Sequence, residues 1–341
     1  LLVLVALGIP LSTTAMQVGV LALAGLSVVS VWAGWGVVRR TPLDGVLALF
    51  YGTLALSTLA SGRPLEAAGW ARVWVVVAYA AVFWWLDGRA GAVRLVRWVV
   101  AAAAVAAAYG IMQHFTGADW YRGLLGRETL VQPRDAGSSG YAVVGFFRSY
   151  LTFGHAMLIP FMWSGALAWR GVTLGVVAAP LLLASIVFST SRGAWLGAVA
   201  GAVTLAFLTA GVGRRWTVGL LAVVAGLAFA VAPDLRAHAT HMFSLEGTNA
   251  GRVGIYRANL DIVRAHPGLG LGFGRYRSAA VPYYVAHPEA DRRSHAHNDY
   301  LQLAAEAGLV GLAAFGLLFA TALLRGWPAV AAAPDGLTWA A

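Results

Sequence analysis

A long polar stretch of the chain ends in the segment Ser294-His295-Ala296-His297-Asn298-Asp299-Tyr300-Leu301-Gln302. An apolar run long enough to form a membrane helix begins directly after it. Two histidines, an amide and a carboxylate therefore lie side by side where polar chain meets apolar helix. We expect the helices to form a platform and this junction to carry chemistry on it.

The composition of the chain indicates a polytopic membrane protein. Hydrophobic residues occupy 60% of the 341 positions and charged residues only 11%, and a soluble protein of this size could not solvate such a surface. The 41 glycines and 14 tryptophans are typical of membrane helices, which use Gly for close packing and Trp at the interfaces. Because the chain has no cysteine, disulfides and thiolate metal sites are excluded.

The net charge of +10 comes from arginine rather than lysine. In a membrane protein, this charge favours anionic membrane lipids or phosphate-bearing ligands as partners. We expect no nucleic-acid partner.

Apolar stretches of ~20 residues predict about ten transmembrane helices, since lipid accepts only helices or closed barrels. They cover residues 1–11, 15–38, 43–60, 70–86, 95–114, 149–169, 172–189, 193–210, 216–232 and 299–324. Residue 1 already lies in an apolar run that lacks the basic region of a signal peptide. We therefore expect trimmed ends, and about twelve helices in the full-length protein.

The predicted organisation has three parts. Residues 1–232 hold the first nine helices and a smaller extracytoplasmic loop at 115–148. Residues 233–298 form a large extracytoplasmic loop that contains an amphipathic helix, and residues 299–341 hold the last helix and a trimmed tail. Loops of this length in a compact membrane protein are usually functional.

The orientation follows from the short connections between helices. If the helices alternate in direction, all arginines of these connections fall on one side, which the positive-inside rule makes the cytoplasm. These residues are Arg39, Arg40, Arg89, Arg94, Arg97, Arg170, Arg214, Arg215 and Arg325. Both long polar loops then lie on the opposite, extracytoplasmic side.

Arg192 is the first candidate for binding an anion. It stands between two predicted helices, where Thr190 or Ser191 can cap the second one. A cation in the first turn opposes the helix dipole, whereas helix amides and a guanidinium together make a good phosphate site. The alternative is an interfacial arginine that extends towards lipid headgroups.

Arg252 is the second candidate and begins a helix in the large loop. Thr248 or Asn249 can cap this helix, and Pro267 ends it. One apolar face is predicted from spacings of three and four residues between Val253, Tyr256, Leu260 and Val263. The helix is expected to lie against the membrane surface or the bundle. A solvated surface charge is the alternative role for Arg252.

A run of glycines follows this helix, in the segment Gly270-Leu271-Gly272-Phe273-Gly274. It follows no predicted strand, so it fails the context test for a dinucleotide-binding loop. A tight turn after Pro267 is expected instead. The turn could bring Arg275 and Arg277 close to the site, or simply reverse the chain.

His295 and His297 can be metal ligands, a general base or solvated loop residues. The chain offers no third metal ligand at a characteristic spacing and no acidic pair for glycosidase chemistry, so we expect no metal and no other cofactor. Asp299 and Gln302 have capping-box spacing, which predicts a helix start near Asp299. His297 then precedes a helix N-terminus, which lowers an imidazole pKa and favours the neutral form that a base needs.

Together these residues resemble the recurrent blocks of the O-antigen ligase and O-antigen polymerase superfamily, in the same order. The blocks are Ser191-Arg192-Gly193, Gly251-Arg252, His266-Pro267-Gly268-Leu269-Gly270-Leu271-Gly272-Phe273-Gly274, and His297-Asn298 with Gly308-Leu309-Val310-Gly311 after it. The resemblance covers about residues 140 to 325, and the ordered set is more specific than any single block.

The resemblance implies an all-α, GT-C-like glycosyltransferase in the bacterial inner membrane, with its active site facing the periplasm. The donor would be a glycan on undecaprenyl pyrophosphate. The acceptor would be lipid A-core in a ligase, a glycan repeat in a polymerase, or a protein Ser/Thr in a protein O-oligosaccharyltransferase.

Carried onto this chain, the resemblance implies that His297 activates the acceptor hydroxyl while Arg192 and Arg252 hold the pyrophosphate. No metal would be needed, and the transfer would invert the anomeric centre. Weaker candidates for substrate binding are Arg148, Arg275, Arg277, His295 and Asn298.

A transporter of lipid-linked glycans is the main alternative from another class. A transporter should place ionisable residues near the bilayer midplane, whereas the predicted spans are almost free of them. A noncatalytic membrane scaffold would not need the two arginines and the histidine. The charge distribution therefore favours chemistry at the membrane surface.

Overall fold

The computed structural model describes residues 1–62, 70, 73–133, 140–208, 248–288, 290 and 295–331. Its helices are α1 (Leu2–Leu11), α2 (Thr13–Trp32), α3 (Asp44–Ala60), α4 (Trp74–Trp85), α5 (Gly88–Thr116), α6 (Trp120–Leu124), α7 (Tyr150–Ala156), α8 (Leu158–Trp169), α9 (Thr173–Phe188), α10 (Arg192–Leu208), α11 (Thr248–Ala265), α12 (Tyr276–Ala279), α13 (Val281–Ala286) and α14 (Asp299–Ala331). The short strands β1 (Gln132–Pro133) and β2 (Tyr141–Ala142) pair antiparallel. The described chain is thus mostly helical, as predicted.

Every predicted span within the described residues coincides with helix, although some bounds differ. Among the described residues, four helical stretches are long and apolar enough to cross a membrane, namely Thr13–Trp32, Gly88–Thr116, Tyr150–Trp169 (α7 and α8 together) and Asp299–Gly326. Shorter apolar helices are α1, α3, α4 and α9. The second span ends at Trp32 instead of residue 38, and Gly34 and Gly36 just beyond it have left-handed φ values of 69° and 63°. The predicted span 216–232 lies outside the described residues.

The chain forms two compact units. The first comprises Leu1–Val38, Ala81–Met242 and Ala329–Ala341, and the second comprises Arg39–Ala80 and Phe243–Pro328. An early helix, α3, thus belongs with the segment around His297, far away in sequence.

The first unit is built around α5, which packs against α1 and α9. Its alanine-rich stretch buries small side chains, which let helix backbones approach closely. The centre of the buried cluster is formed by Val100, Ala103, Ala106, Ala107, Phe153, Leu182 and Ile186.

The connection between α5 and α7 folds onto the end of α5 instead of extending away from it. The Gln113 carboxamide oxygen accepts a hydrogen bond from the Gly145 N–H at 2.8 Å. Asp119 accepts one from the Tyr109 hydroxyl at 2.9 Å and pairs with Arg122 at 3.4 Å. The smaller polar loop is therefore an ordered part of the first unit where the structure describes it.

Two connections meet at one end of the first unit. The His114 ring, near the end of α5, stacks on Phe188, at the end of α9, with 4.3 Å between ring centroids. Segments 115–148 and 189–192 therefore begin side by side. This arrangement agrees with alternating spans, which place both segments on the same side of a membrane.

In the second unit, α14 is broken at Gly308. This residue has φ 68° and ψ −173°, a combination that essentially only glycine adopts. The Tyr300 and Phe315 ring centroids are only 6.2 Å apart, whereas fifteen residues of straight helix span ~22 Å. The predicted span 299–324 is therefore helical on both sides of Gly308, but the chain turns sharply at this residue.

A tight turn after Pro267 fills the break. The Leu309 N–H donates to the Pro267 carbonyl at 2.8 Å, and the Gly272 N–H donates to the Glu306 carbonyl at 3.0 Å. The Ser57 hydroxyl of α3 also donates to the Glu306 carbonyl, at 2.8 Å. A buried helix break needs such partners, because backbone groups rarely remain unpaired inside proteins.

The glycine run forms this turn, as predicted. Gly270, Gly272 and Gly274 have φ values of 68°, 102° and 81°, in the region that favours glycine. A Cβ at Gly270 would lie 2.5 Å from the backbone carbonyl carbon of Glu306. The glycines therefore allow both the turn and its close approach to α14.

The helix predicted in the large loop is present as α11, but its buried face is not the predicted one. Ile255, Ile262 and the polar Asn259 are buried, whereas Val253 and Leu260 of the predicted face are 37% and 45% exposed. Aliphatic residues occur on both faces, so their spacing alone could not identify the buried one.

Candidate functional site

His297 occupies a strained position just before α14. Its φ is 52°, a left-handed backbone that is unfavourable for a residue with a Cβ. His297 is exposed, and the His295 ring lies beside it with 4.1 Å between ring centroids. Backbone strain of this kind is concentrated at functional sites.

Asn298 caps α14. Its side-chain oxygen accepts hydrogen bonds from the Tyr300 and Leu301 N–H groups at 3.0 and 3.1 Å. The predicted helix start at Asp299 is confirmed, but the capping side chain is that of Asn298 instead. The predicted contact of Asn298 with substrate would have to use its remaining amide nitrogen.

Gln302 reaches back from α14 to the histidine segment. Its carboxamide oxygen accepts a hydrogen bond from the Ala296 N–H at 2.7 Å, and its nitrogen donates to the Glu306 carboxylate at 3.0 Å. The same carboxylate oxygen accepts a hydrogen bond from the Tyr276 N–H at 3.2 Å. Sequence reasoning treated Gln302 only as a helix-start signal and assigned no role to Glu306.

Arg275 and Arg277 follow the glycine turn. The Arg275 guanidinium donates to the Ser61 carbonyl at 3.2 Å, so it connects the turn to the end of α3. Arg277 is exposed on α12. Of the two, Arg277 is therefore the more accessible to a ligand.

Arg252 lies in the first half of α11, in the same unit as His297. Ile255, one turn further along α11, belongs to the buried cluster that also contains Ala296, the residue between the two histidines. The backbones that carry Arg252 and His297 are therefore attached to one packed cluster.

An acidic residue further along α11 forms a small charged network. The Asp261 carboxylate contacts both His287 and Arg264 at 2.8 Å. Two hydrogen bonds lower the pKa of Asp261 from its ordinary value of 3.8. The bond from His287 has the larger effect, and the bond from Arg264 the smaller. This network fastens α11 to the segment after α13.

Arg192 opens α10 in the first unit. Ser191 is the cap, as one of the two predicted alternatives, because its hydroxyl accepts a hydrogen bond from the Ala194 N–H at 3.4 Å. Arg192 is half-buried, and no described residue forms a hydrogen bond or ion pair with its side chain. A guanidinium thus stands at the positive end of a helix dipole without a described anion.

Arg148 precedes the short helix α7 in the same unit, and His155 lies in the last turn of α7. Arg148 is exposed and directly precedes Ser149, the cap of α7. His155 contacts the start of α10, since a Cβ at Gly193 would lie 2.9 Å from His155 Nε2. His155 was not predicted, because a single histidine in an apolar run gives no sequence signal.

The predicted site residues fall into two groups. Arg148 and Arg192 belong to the first unit, and the second unit holds Arg252, Arg275, Arg277, His295, His297 and Asn298. Within the described ranges, no three His, Cys, Asp or Glu side chains are grouped as metal ligands would be.

Comparison with known proteins gives a match to a protein family over part of the chain. No curated protein matches the chain. Residues 177–316 match the family described as O-antigen ligase, and this segment contains Arg192, Arg252 and His297. Members of the family are glycosyltransferase-like ligases and polymerases that act on lipid-linked glycans, and the apolar helices agree with an integral membrane protein. The match over residues 177–316 supports the resemblance of the sequence motifs to the O-antigen ligase and O-antigen polymerase superfamily.

Proposed function

We propose that this protein is an O-antigen ligase-type glycosyltransferase. It moves a glycan from undecaprenyl pyrophosphate to an acceptor hydroxyl, with lipid A-core as the first candidate acceptor. The transfer takes place on the periplasmic face of the bacterial inner membrane, needs no metal and inverts the anomeric centre. The observation that carries this proposal is the exposed His297, held in a left-handed turn inside the segment that matches the family.

His297 acts as the general base in this proposal. Its neutral imidazole takes the proton of the acceptor hydroxyl while the hydroxyl oxygen attacks the anomeric carbon. The bond between that carbon and the pyrophosphate oxygen breaks, and its electron pair leaves with undecaprenyl pyrophosphate. The proton then passes from the exposed imidazole to water. The position of His297 directly before the N-terminus of α14, exposed to solvent, supports this role.

Arg192 and Arg252 stabilise the charge that develops on the departing pyrophosphate. Arg192 is suited to this role, because it has no partner among the described residues and stands where a helix N-terminus attracts anions. Arg192 belongs to the first unit and Arg252 to the second. Arg148, Arg277 and His295 are candidates for additional contacts with phosphate or glycan.

The periplasmic placement is supported by the distribution of arginines. Segments 115–148 and 189–192 begin at one end of the first unit, beside the stacked His114 and Phe188. The positive-inside rule assigns the arginine-rich connections to the cytoplasm, at the opposite end of the predicted spans.

Reconstitution with a defined donor tests this function. Purified protein is incubated with an undecaprenyl-pyrophosphate glycan and EDTA, and with lipid A-core, a free glycan repeat or a Ser/Thr peptide as acceptor. We expect one acceptor to gain the glycan in a one-to-one ratio with released undecaprenyl pyrophosphate. The productive acceptor distinguishes ligase from polymerase and from protein O-oligosaccharyltransferase. Movement of intact donor across a vesicle bilayer without transfer would instead indicate a transporter.

A further inference from the structure

Two hydrogen-bonded side chains flank the backbone of His297, that of the cap residue Asn298 and that of Gln302 in α14. On the C-terminal side, Asn298 caps α14. On the N-terminal side, the Ala296 N–H donates to Gln302, and Ala296 is fully buried. Because a left-handed histidine is unfavourable in isolation, these contacts must maintain its conformation.

Gln302 has the chemistry that its position requires. One end of its side chain faces the Ala296 N–H, which needs an acceptor, and the other faces the Glu306 carboxylate, which needs a donor. A carboxamide supplies both, whereas a carboxylate supplies only acceptors. A glutamate at this position would therefore lose one hydrogen bond and place two negative charges together.

Glu306 anchors this contact. It is only 7% exposed, accepts the Tyr276 N–H and lies just before the break at Gly308. Tyr276 directly follows Arg275, at the end of the glycine turn. A continuous chain of hydrogen bonds thus runs from the glycine turn through Glu306 and Gln302 to the residue before His297.

We propose that Gln302, oriented by Glu306, is a positioning residue that sets the orientation of the His297 imidazole for proton transfer. This inference rests on the proposed role of His297 as the base. A small displacement of a reacting group can lower a rate by about 100-fold. Gln302 is therefore required for kcat without touching the donor or the acceptor.

The test uses three variants at the two positions. Gln302→Glu removes the donor to Glu306, and Gln302→Asn keeps the amide but shortens its reach by one methylene. The double variant Gln302→Glu/Glu306→Gln reverses the polarity, so that a carboxylate at position 302 accepts from both Ala296 and an amide at position 306. The matched control is Gln132→Glu, at an exposed position on β1.

In full-length protein, we expect both single variants to lose about 100-fold in kcat with little change in KM. We expect the double variant to recover most of this loss, and Gln132→Glu to behave as wild type. Deuterium exchange at the Ala296 amide should accelerate in Gln302→Asn, since that amide loses its acceptor. If a single variant folds too poorly for the transfer assay, exchange at this amide still tests the hydrogen bond between Ala296 and Gln302.

Wild-type kcat in Gln302→Asn, or a double variant no faster than Gln302→Glu, would overturn the positioning role. His297→Ala is measured in the same assay to separate the two claims. If His297→Ala transfers glycan normally, the proposed base is wrong. If His297→Ala is inactive while Gln302→Asn is fully active, only the positioning role is wrong.

Discussion

Thr190 and His297 both adopt a left-handed backbone, with φ values of 55° and 52°. Thr190 stands two residues before Arg192, and His297 is the candidate base. The sequence identified Arg192 and His297 as candidates from their charge and from the types of the neighbouring residues. It could not reveal the backbone strain, because a positive φ at a residue with a Cβ is imposed by contacts that are distant in sequence.

The role of Arg192 can be tested by substitution. We expect Arg192→Ala to lower kcat/KM for the lipid-pyrophosphate donor by about 100-fold or more, because it removes charge stabilisation from the leaving group. Arg192→Lys should recover part of the loss, since lysine keeps the charge but not the paired hydrogen bonds. The control is Arg170→Ala, at an exposed arginine after α8. An equal effect at both positions would contradict a specific role for Arg192.

The Asp261 network predicts a pH dependence of stability. The pKa of Asp261 in the folded protein lies below its ordinary value of 3.8, so its contacts stabilise the fold above that pH. The stabilisation is lost as the pH falls through the folded pKa. We expect the difference in Tm between wild type and Asp261→Asn to shrink as the pH is lowered from about 6 to about 3. A difference that stays constant over this range would show that the network contributes no pH-dependent stability.

At the scale of elements, the sequence indicated the glycine turn and the start of α14, but not the break between the two parts of α14. Hydropathy is continuous across Gly308, so the segment resembled one span. The break becomes stable only because the turn after Pro267 supplies hydrogen-bond partners from about forty residues earlier. Local pattern therefore predicted both pieces, whereas their pairing depends on tertiary structure.

Gly308→Ala tests this interlocking of turn and helix. The substituted residue would occupy a strained backbone, which costs about 1–3 kcal/mol, and its Cβ would overlap the Gly268 carbonyl. We expect a lower Tm in detergent and weaker transfer. Gly316→Ala, in the same helix, is the control, because no atom lies within 4 Å of the added Cβ. Equal Tm values for the two variants would argue against a structural need for glycine at the break.

At the scale of the whole molecule, hydropathy predicted where helices occur, since compatibility with lipid is a local property of about 20 residues. It could not predict that α3 joins the segment around His297, which depends on contacts such as that of Ser57 with Glu306. The buried face of α11 was also not predictable, because aliphatic residues lie on both sides of that helix. The candidate site residues were chosen from short sequence motifs, and their roles stay predictions.

The absence of cysteine makes the proposed membrane orientation directly measurable. We expect Arg127→Cys, in the connection after α6, to react with a membrane-impermeant maleimide added from the periplasmic side. Arg170→Cys, after α8, should react only once the inner membrane is opened, because the positive-inside rule places it in the cytoplasm. Both arginines are exposed. The reverse labelling pattern would place the proposed site on the cytoplasmic face.

The most direct test of the central claim is the initial rate of glycan transfer by His297→Ala, with purified protein and an undecaprenyl-pyrophosphate donor. Loss of a general base should lower kcat by about 100-fold or more, while size-exclusion behaviour and Tm stay as in wild type. The control is His266→Ala, at an exposed histidine that pairs with Tyr283 at 3.0 Å, and it should transfer at the wild-type rate. A folded His297→Ala protein that transfers as fast as wild type would contradict the proposed mechanism.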